Sequence, residues 1–286
     1  MISLGFAQRN AKNLMRCMAV LVVLASVVST ATAQPTPGLQ YTFVQGVDNL
    51  NKPGGINDVS GHGHNGTVID SSLAELVAGP SGKMNALHID NDNEPDETAG
   101  SGINTGTRTD NPDLNIFNGP YTVMAWVNLD DQSGDHMVFG TPPPNAPGAG
   151  ANSGSLHLGF RNSQVYNGWW GAGTGRDSAY DNQSSGRGYI GQIGEWHHIT
   201  WRFTGSSGPG YQDIFQDGVL YQRFRSPVSY GGLLLGDGNV PNVPVNLLIG
   251  RTVANSGAFS GSLSDVRVYN TALDDSVIAA IAASPP

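Results

Sequence analysis

Tyr166, Asn167, Trp169 and Trp170 stand almost side by side, a short way after His157 and Arg161. An aromatic ring can pack the C–H face of a sugar, while amide and guanidinium groups take its hydroxyls. These residue types, so closely spaced, predict a ligand-binding group of Tyr166, Asn167, Trp169, Trp170 and Arg161. Tyr180 joins it from the glycine- and serine-rich stretch 174–188, a loop long enough to wall one side of a groove. Adjacent tryptophans on a strand face opposite ways, so one of Trp169 and Trp170 belongs to the core. Either the other is open to a ligand or both rings are buried.

Other residues offer different chemistry. Asp58, Ser60 and Asn65 lie in the tight loop Asn57–Gly66, where their oxygens suit either a hard cation or an Asx-turn. His62 and His64 are transition-metal ligand types, but two histidines on a glycine loop lack a third ligand. The acidic run Asp90–Glu97 resembles only the front half of a calcium loop. Pro95 stands where the turn glycine is needed and Ser101 where the bidentate glutamate belongs, so a solvated loop is expected. Glycoside hydrolysis needs two facing carboxylates. The nearest pattern is Glu94-Pro-Asp-Glu-Thr98, with a proline unsuited to a central strand. Glu75 and Glu195 are far apart in sequence. There is no Gly-x-Ser-x-Gly elbow, phosphate loop or His-Glu-x-x-His motif.

The elements that must position these groups follow a leader. Arg9, Lys12 and Arg16 precede the apolar run Cys17–Val28, and Ala31-Thr32-Ala33 supplies small residues for cleavage before Gln34. Residues 1–33 are thus expected to be a signal peptide and 34–286 the working domain. The whole chain has 14 Lys+Arg against 23 Asp+Glu. The leader holds three basic residues and no acids, so 11 remain against 23, a net of −12. That charge disfavours nucleic acid and anionic membrane surfaces and suits cations. The only cysteine is in the leader, so an exported domain cannot rely on disulfides. A secreted, extracellular or periplasmic location is expected, with no membrane span after cleavage.

The 39 glycines, with Asn, Ser and Asp, punctuate short alternating segments. This indicates an antiparallel all-β fold rather than a parallel α/β sheet. Leu39–Val44, Thr67–Ile69 and Ala86–Asp90 read as strands. Tyr121–Leu129 is apolar on both faces and should be central. The proline-rich stretch 141–150 is expected to be an exposed loop. Ser155–Arg161 and Gln164–Gly171 form a hairpin carrying the aromatic group. Glu195–Phe203 follows, and Asp217-Gly218 turns a second hairpin over Gln212–Tyr221. After the strand within Asn246–Gly250 comes Phe259–Asn270, with Val266 and Val268 on one side and Asp265, Arg267 and Tyr269 on the other. Asp274 or Asp275 is positioned to cap a short helix over 276–283.

Taken in order, Asp58-Val-Ser-Gly, Tyr121-Thr-Val-Met-Ala-Trp-Val, Gly194-Glu-Trp-His-His-Ile-Thr, Phe215-Gln-Asp-Gly-Val-Leu, Leu248-Ile-Gly and Gly261-Ser-Leu-Ser-Asp-Val-Arg-Val-Tyr-Asn form a recognisable series. The chain resembles the laminin-G-like jelly roll of the concanavalin A-like lectin/glucanase superfamily over nearly all of 34–286. The resemblance implies a two-sheet antiparallel jelly-roll sandwich, with ligands on a concave face or loop rim and often a structural calcium. It points to Asp58 and Asp265 as the side-chain ligands of such a Ca2+. Where the family often has two acids before Val-Arg, Ser264 replaces the first, and Asp265 could instead pair with Arg267. The expected function is a secreted non-catalytic carbohydrate-binding or adhesion module, its partner a glycan. The alternatives are a matrix or surface module that binds extracellular protein, and a laminarinase-type glycoside hydrolase.

Overall fold

The computed structural model describes residues 34–91, 100–116, 119–131, 134–141, 155–161, 164–170, 193–205, 211–225, 245–251 and 258–286, with backbone alone at 155, 164, 166–170 and 224–225. Thr36–Pro286 is one compact unit. The expected leader, the acidic run 92–99, the proline-rich stretch 142–150 and the loop 174–188 with Tyr180 lie outside the described residues.

The described strands are β1 (Leu39–Tyr41), β2 (Thr67–Val68), β3 (Ala74–Ala78), β4 (Met84–Ile89), β5 (Ile103–Arg108), β6 (Tyr121–Leu129) and β7 (Asp135–Gly140). They continue as β8 (Ser155–Arg161), β9 (Gln164–Trp170), β10 (His197–Phe203), β11 (Tyr211–Gln216), β12 (Val219–Arg225), β13 (Asn246–Ile249) and β14 (Gly261–Tyr269), then helix α1 (Asp275–Ala282). They form two antiparallel sheets. The eight-stranded sheet runs β12-β11-β10-β6-β14-β4-β3, with β1 also against β14; the six-stranded one runs β2-β5-β13-β7-β8-β9. This is the antiparallel all-β fold that the alternating segments predict, in the two-sheet jelly-roll-like form that the resemblance implies.

One apolar core joins both sheets. Leu39, Tyr41, Val123, Val127, Ile199 and Trp201 of the larger sheet share it with Ile103, Phe139, Leu158 and Ile249 of the smaller. β6 is central as expected, held between β10 and β14. Its odd-numbered residues face the core, while Met124 joins Phe215, Tyr269, Leu273, Ile278 and Ile281 beneath α1 on the sheet's other face.

β14 departs from simple alternation. Leu263, Val266 and Val268 are all in the core, a spacing that period two alone forbids. A bulge between Ser264 and Arg267, with Asp265 at φ 47°, resets the phase. Asp217-Gly218 turns the β11–β12 hairpin with φ of 51° and 79°, as a type I′ turn requires. The helix starts one residue earlier than expected. Asp274 is its N-cap but makes no side-chain cap bond, and the Asp275 carboxylate instead accepts from Arg202 Nη1 at 2.7 Å. Arg202 also donates to Asp213 Oδ2 from Nε and Nη2 and to the Leu273 carbonyl, which ties the helix to β10 and β11.

Candidate functional site

The aromatic hairpin is present as β8 and β9, and β9 is the last strand in the order of the six-stranded sheet. Its register sorts the candidate residues by face. Leu156, Leu158, Phe160 and Val165 are in the core. Trp169 is paired with Leu156, and Asn167 with Leu158. Directly opposed residues share a face, so positions 167 and 169 lie on the core side of the ribbon. Arg161 pairs with Gln164, Gly159 with Tyr166, His157 with Gly168, and Ser155 with Trp170. Positions 161, 166 and 170, with 157, therefore share the side that faces away from that core. The register brings Arg161, Tyr166 and Trp170 onto one row and sets Asn167 and Trp169 on the opposite one.

Two described side chains belong to that row. Arg161 donates from Nε and Nη2 to the two Asp135 oxygens at 2.8 and 2.9 Å, a bidentate pair that fixes the guanidinium plane across β7 and β8. His157 is fully buried. Burial first, and the Arg161 charge second, push its pKa down to about 3, so the imidazole is neutral at working pH. Asp135 lies 26 positions from Arg161, and no local pattern joins them.

The two expected calcium ligands have protein partners. Asp58 Oδ1 accepts from the Gln40 and Ser60 backbone N–H groups, and Oδ2 from the Ser60 hydroxyl and the His64 backbone N–H. Partial burial would raise its pKa; these hydrogen bonds outweigh burial and hold it below the usual carboxylate value. Asp265, almost wholly buried, takes the Arg267 guanidinium on both oxygens at 2.8 and 2.6 Å. The Gln40 side chain donates to Asp265 Oδ1 at 2.7 Å, so Gln40 links the two acids. Asp265 has the Arg267 partner that was the alternative to a cation. The geometry gives these acids the form of a hydrogen-bonded strut. Among the described residues no three His, Cys, Asp or Glu side chains are grouped to hold a metal ion.

His62 and His64 gain a partner that the loop's own sequence does not show. Asp113 places Oδ1 3.2 Å from His62 Nδ1 and Oδ2 2.8 Å from His64 Nε2, with the two rings stacked 6.1 Å apart. A shallow concavity of about 390 Å³ opens beside His64, lined also by Thr107, Arg108 and Asp110. Arg108 is paired there with Asp110 at 3.0 and 3.1 Å.

Of the carboxylates considered for hydrolysis, Glu94, Asp96 and Glu97 lie outside the described residues, and Glu75 and Glu195 stand at different elements. Glu75 is on β3, paired in register with His88. Glu195 precedes β10, exposed, with Oε2 3.7 Å from His197 Nε2. Asp217 Oδ2 meets the same imidazole at Nδ1, 2.8 Å away. His197 thus lies between two acids and ties the hairpin turn to the start of β10.

Comparison with known proteins bears on this geometry. A family model, Laminin_G_3, described as "Concanavalin A-like lectin/glucanases superfamily", matches residues 100–279. No curated protein matches. Among solved structures, domain 4 of AbnA, an extracellular GH43 arabinanase from Geobacillus stearothermophilus in complex with arabinotriose, is similar with a TM-score of 0.53 and 15% identity. That match covers 86% of this chain and 98% of the other. The binding domain of botulinum neurotoxin serotype D matches at a TM-score of 0.49 and 14% identity over 87% of this chain. The present chain spans about half (50%) of that neurotoxin chain. At such identities the likeness is one of fold.

Proposed function

Because the chain belongs to the laminin-G-type family of the concanavalin A-like lectin/glucanases superfamily, we propose that it is an exported, non-catalytic carbohydrate-binding module. The site is the side of the β8–β9 ribbon that carries positions 161, 166 and 170. The observation that carries the reading is the register of that ribbon. It gives Tyr166, Trp170 and Arg161 a common side while leucine, phenylalanine and valine fill the other. Aromatic positions beside a fixed guanidinium offer a sugar both an apolar face and hydrogen-bond donors. The similar arabinanase domain, solved with arabinotriose, adds a fold-level analogy. Glu195 and Asp217 share His197, an arrangement of support rather than of attack on a glycosidic bond.

A glycan array followed by calorimetric titration of the hits tests this. The expected result is measurable affinity for at least one polysaccharide, lost in Trp170→Ala with the melting temperature retained. Trp169→Ala, at a position on the core side of the ribbon, should instead lower the melting temperature. An array without hits, or a Trp170→Ala protein that binds as before, rejects the site. Reducing-sugar release from β-glucan or arabinan would overturn the non-catalytic part. Export is tested by the N-terminus of the protein recovered from culture medium, expected at Gln34.

A further inference from the structure

The concavity beside His64 is independent of the β8–β9 ribbon. It lies against β5, which β13 and β7 separate from β8 in the order of the smaller sheet, and every residue lining it is a described one. Its floor is a bulge. The register of β5 against β13 shifts between Asn246 and Leu248, and Gly106 takes φ 66° with its N–H held by Asn104 Oδ1 at 2.9 Å. A Cβ on Gly106 would meet nothing within 4 Å, so this floor is bare backbone beneath open space.

The walls are held by bonds of their own. Asp113 fixes the His64 ring at Nε2, while the Asp58 carboxylate takes its backbone N–H and the Tyr41 hydroxyl donates to its carbonyl. Asp110 takes Arg108 at Nε and Nη2. Asn111 starts a tight turn: its N–H donates to the Arg108 carbonyl and its side-chain oxygen accepts from the Asp113 N–H. These bonds leave a mixed set of groups without partners among the described residues. Arg108 Nη1 and the Asn111 side-chain nitrogen are donors, and Nδ1 of a neutral His64 ring, with its proton on the Asp113 side, is an acceptor.

That mixture selects a ligand class. An oxyanion calls for donors and a hard cation for acceptors, whereas a hydroxyl does both. Arg108 and Asp110 cancel each other's charge inside the concavity, and the Pro112 ring adds an apolar wall. At about 390 Å³ the space is near the small end of the roughly 300–1,000 Å³ of small-molecule sites, room for one ring rather than a stretch of polymer. We infer that this concavity binds a single neutral sugar ring, the end of a glycan, as a second site separate from the ribbon.

Mapping amide shifts of the isotopically labelled protein with the methyl glycosides of glucose, galactose, mannose and arabinose tests the inference without any variant. At least one glycoside should move the Gly106, Thr107, Arg108 and Asn111 amides along one saturating curve. The pentasaccharide of that sugar should bind there no more than about twofold more tightly, since only its end is held. Gly106→Asn, which tolerates the positive φ and places a side chain over the floor, should weaken the response about tenfold or more. Trp170→Ala should leave it unchanged. Glycosides that move no amide, or only those of β8 and β9, overturn the inference, and in the second case the ribbon keeps its role. Sulfate that moves the β5 amides where no glycoside does also overturns it, as does a Gly106→Asn protein that binds as before. If the β5 amides respond while Trp170→Ala changes nothing on the array, the ribbon falls and this site stands.

Discussion

His197 has Nδ1 2.8 Å from Asp217 and Nε2 3.7 Å from Glu195. The hydrogen bond to Asp217 raises its pKa against a partial burial that would lower it. A raised folded-state value means that this contribution to stability is complete below the unfolded value of about 6.5 and is lost as pH climbs through the folded one. Asp217 moves the other way: burial would raise its pKa, but the His197 contact and the His198 N–H lower it. Its contribution is present above about pH 4 and fades as pH falls through the folded value. The urea midpoint should therefore decline above neutrality, and Asp217→Asn, whose side chain still tolerates the positive φ of the turn, should flatten that decline. An equally steep decline in Asp217→Asn would assign the titration to another group. Asp265 gives a second residue-level outcome. Asp265→Ala leaves the largely buried Arg267 guanidinium without its carboxylate and should cost about 3 kcal/mol in urea unfolding. Since the oxygens of Asp58 and Asp265 already have donors, a chelator should leave the melting temperature unchanged. A drop of several degrees would show a bound cation. Single residues were the least legible part of the sequence. Asp113 meets His64 across 49 positions and Asp135 meets Arg161 across 26, and only the fold brings each pair together.

Elements were easier to read where one physical signal dominated. β6 announced itself by two apolar faces, the second hairpin by Asp217-Gly218, and β14 by Val266 and Val268. β3, β5 and β7 passed unread. β3 is a short edge strand with a mixed surface. β5 buries threonines beside Ile103 and carries Gly106 at φ 66°, so its apolar alternation is faint. In β7 a bulge between Met137 and Phe139 breaks the period on which a strand is recognised. For the aromatic hairpin, sequence supplied both strands but left open which tryptophan belonged to which side. That depends on register, and register depends on pairing with Leu156 and Ser155. The docking of α1 can be tested at this scale. Gly218 sits at φ 79°, and a Cβ there would come 2.8 Å from the Ala279 Cα and 3.1 Å from the Ala282 Cβ. Gly218→Ala combines a left-handed alanine with a displaced helix and should cost about 2 kcal/mol or more. Gly134, also at positive φ but with open space around it, is the control. Gly134→Ala should show only the backbone strain, about 1–2 kcal/mol. Equal losses at the two positions would mean that the helix yields without resistance.

At the scale of the whole molecule, the two sheets are held by one continuous core rather than by separate ones. The only cysteine, Cys17, lies in the expected leader, so no disulfide holds the domain if residues 1–33 are removed. The load falls on apolar burial shared between sheets: Phe139 of the smaller sheet, for example, meets Trp201 of the larger edge to face at 6.0 Å. Neither sheet can leave without exposing the inner face of the other, so the domain should unfold in one step. Scanning calorimetry of residues 34–286 should give one transition with equal calorimetric and van't Hoff enthalpies, unaltered by a thiol reductant. Phe139→Ala and Ile199→Ala, one from each sheet, should lower that single midpoint together with probes of either sheet, by about 3–5 and 2–5 kcal/mol respectively. If Phe139→Ala instead splits the transition, so that the six-stranded sheet melts first, the sheets are separately stable. The β8–β9 ribbon, at the end of that sheet's order, would then be lost while the rest of the fold remained. A midpoint for glycan binding that coincides with the midpoint of unfolding would show that β9 is held by the common core and not by its own edge contacts.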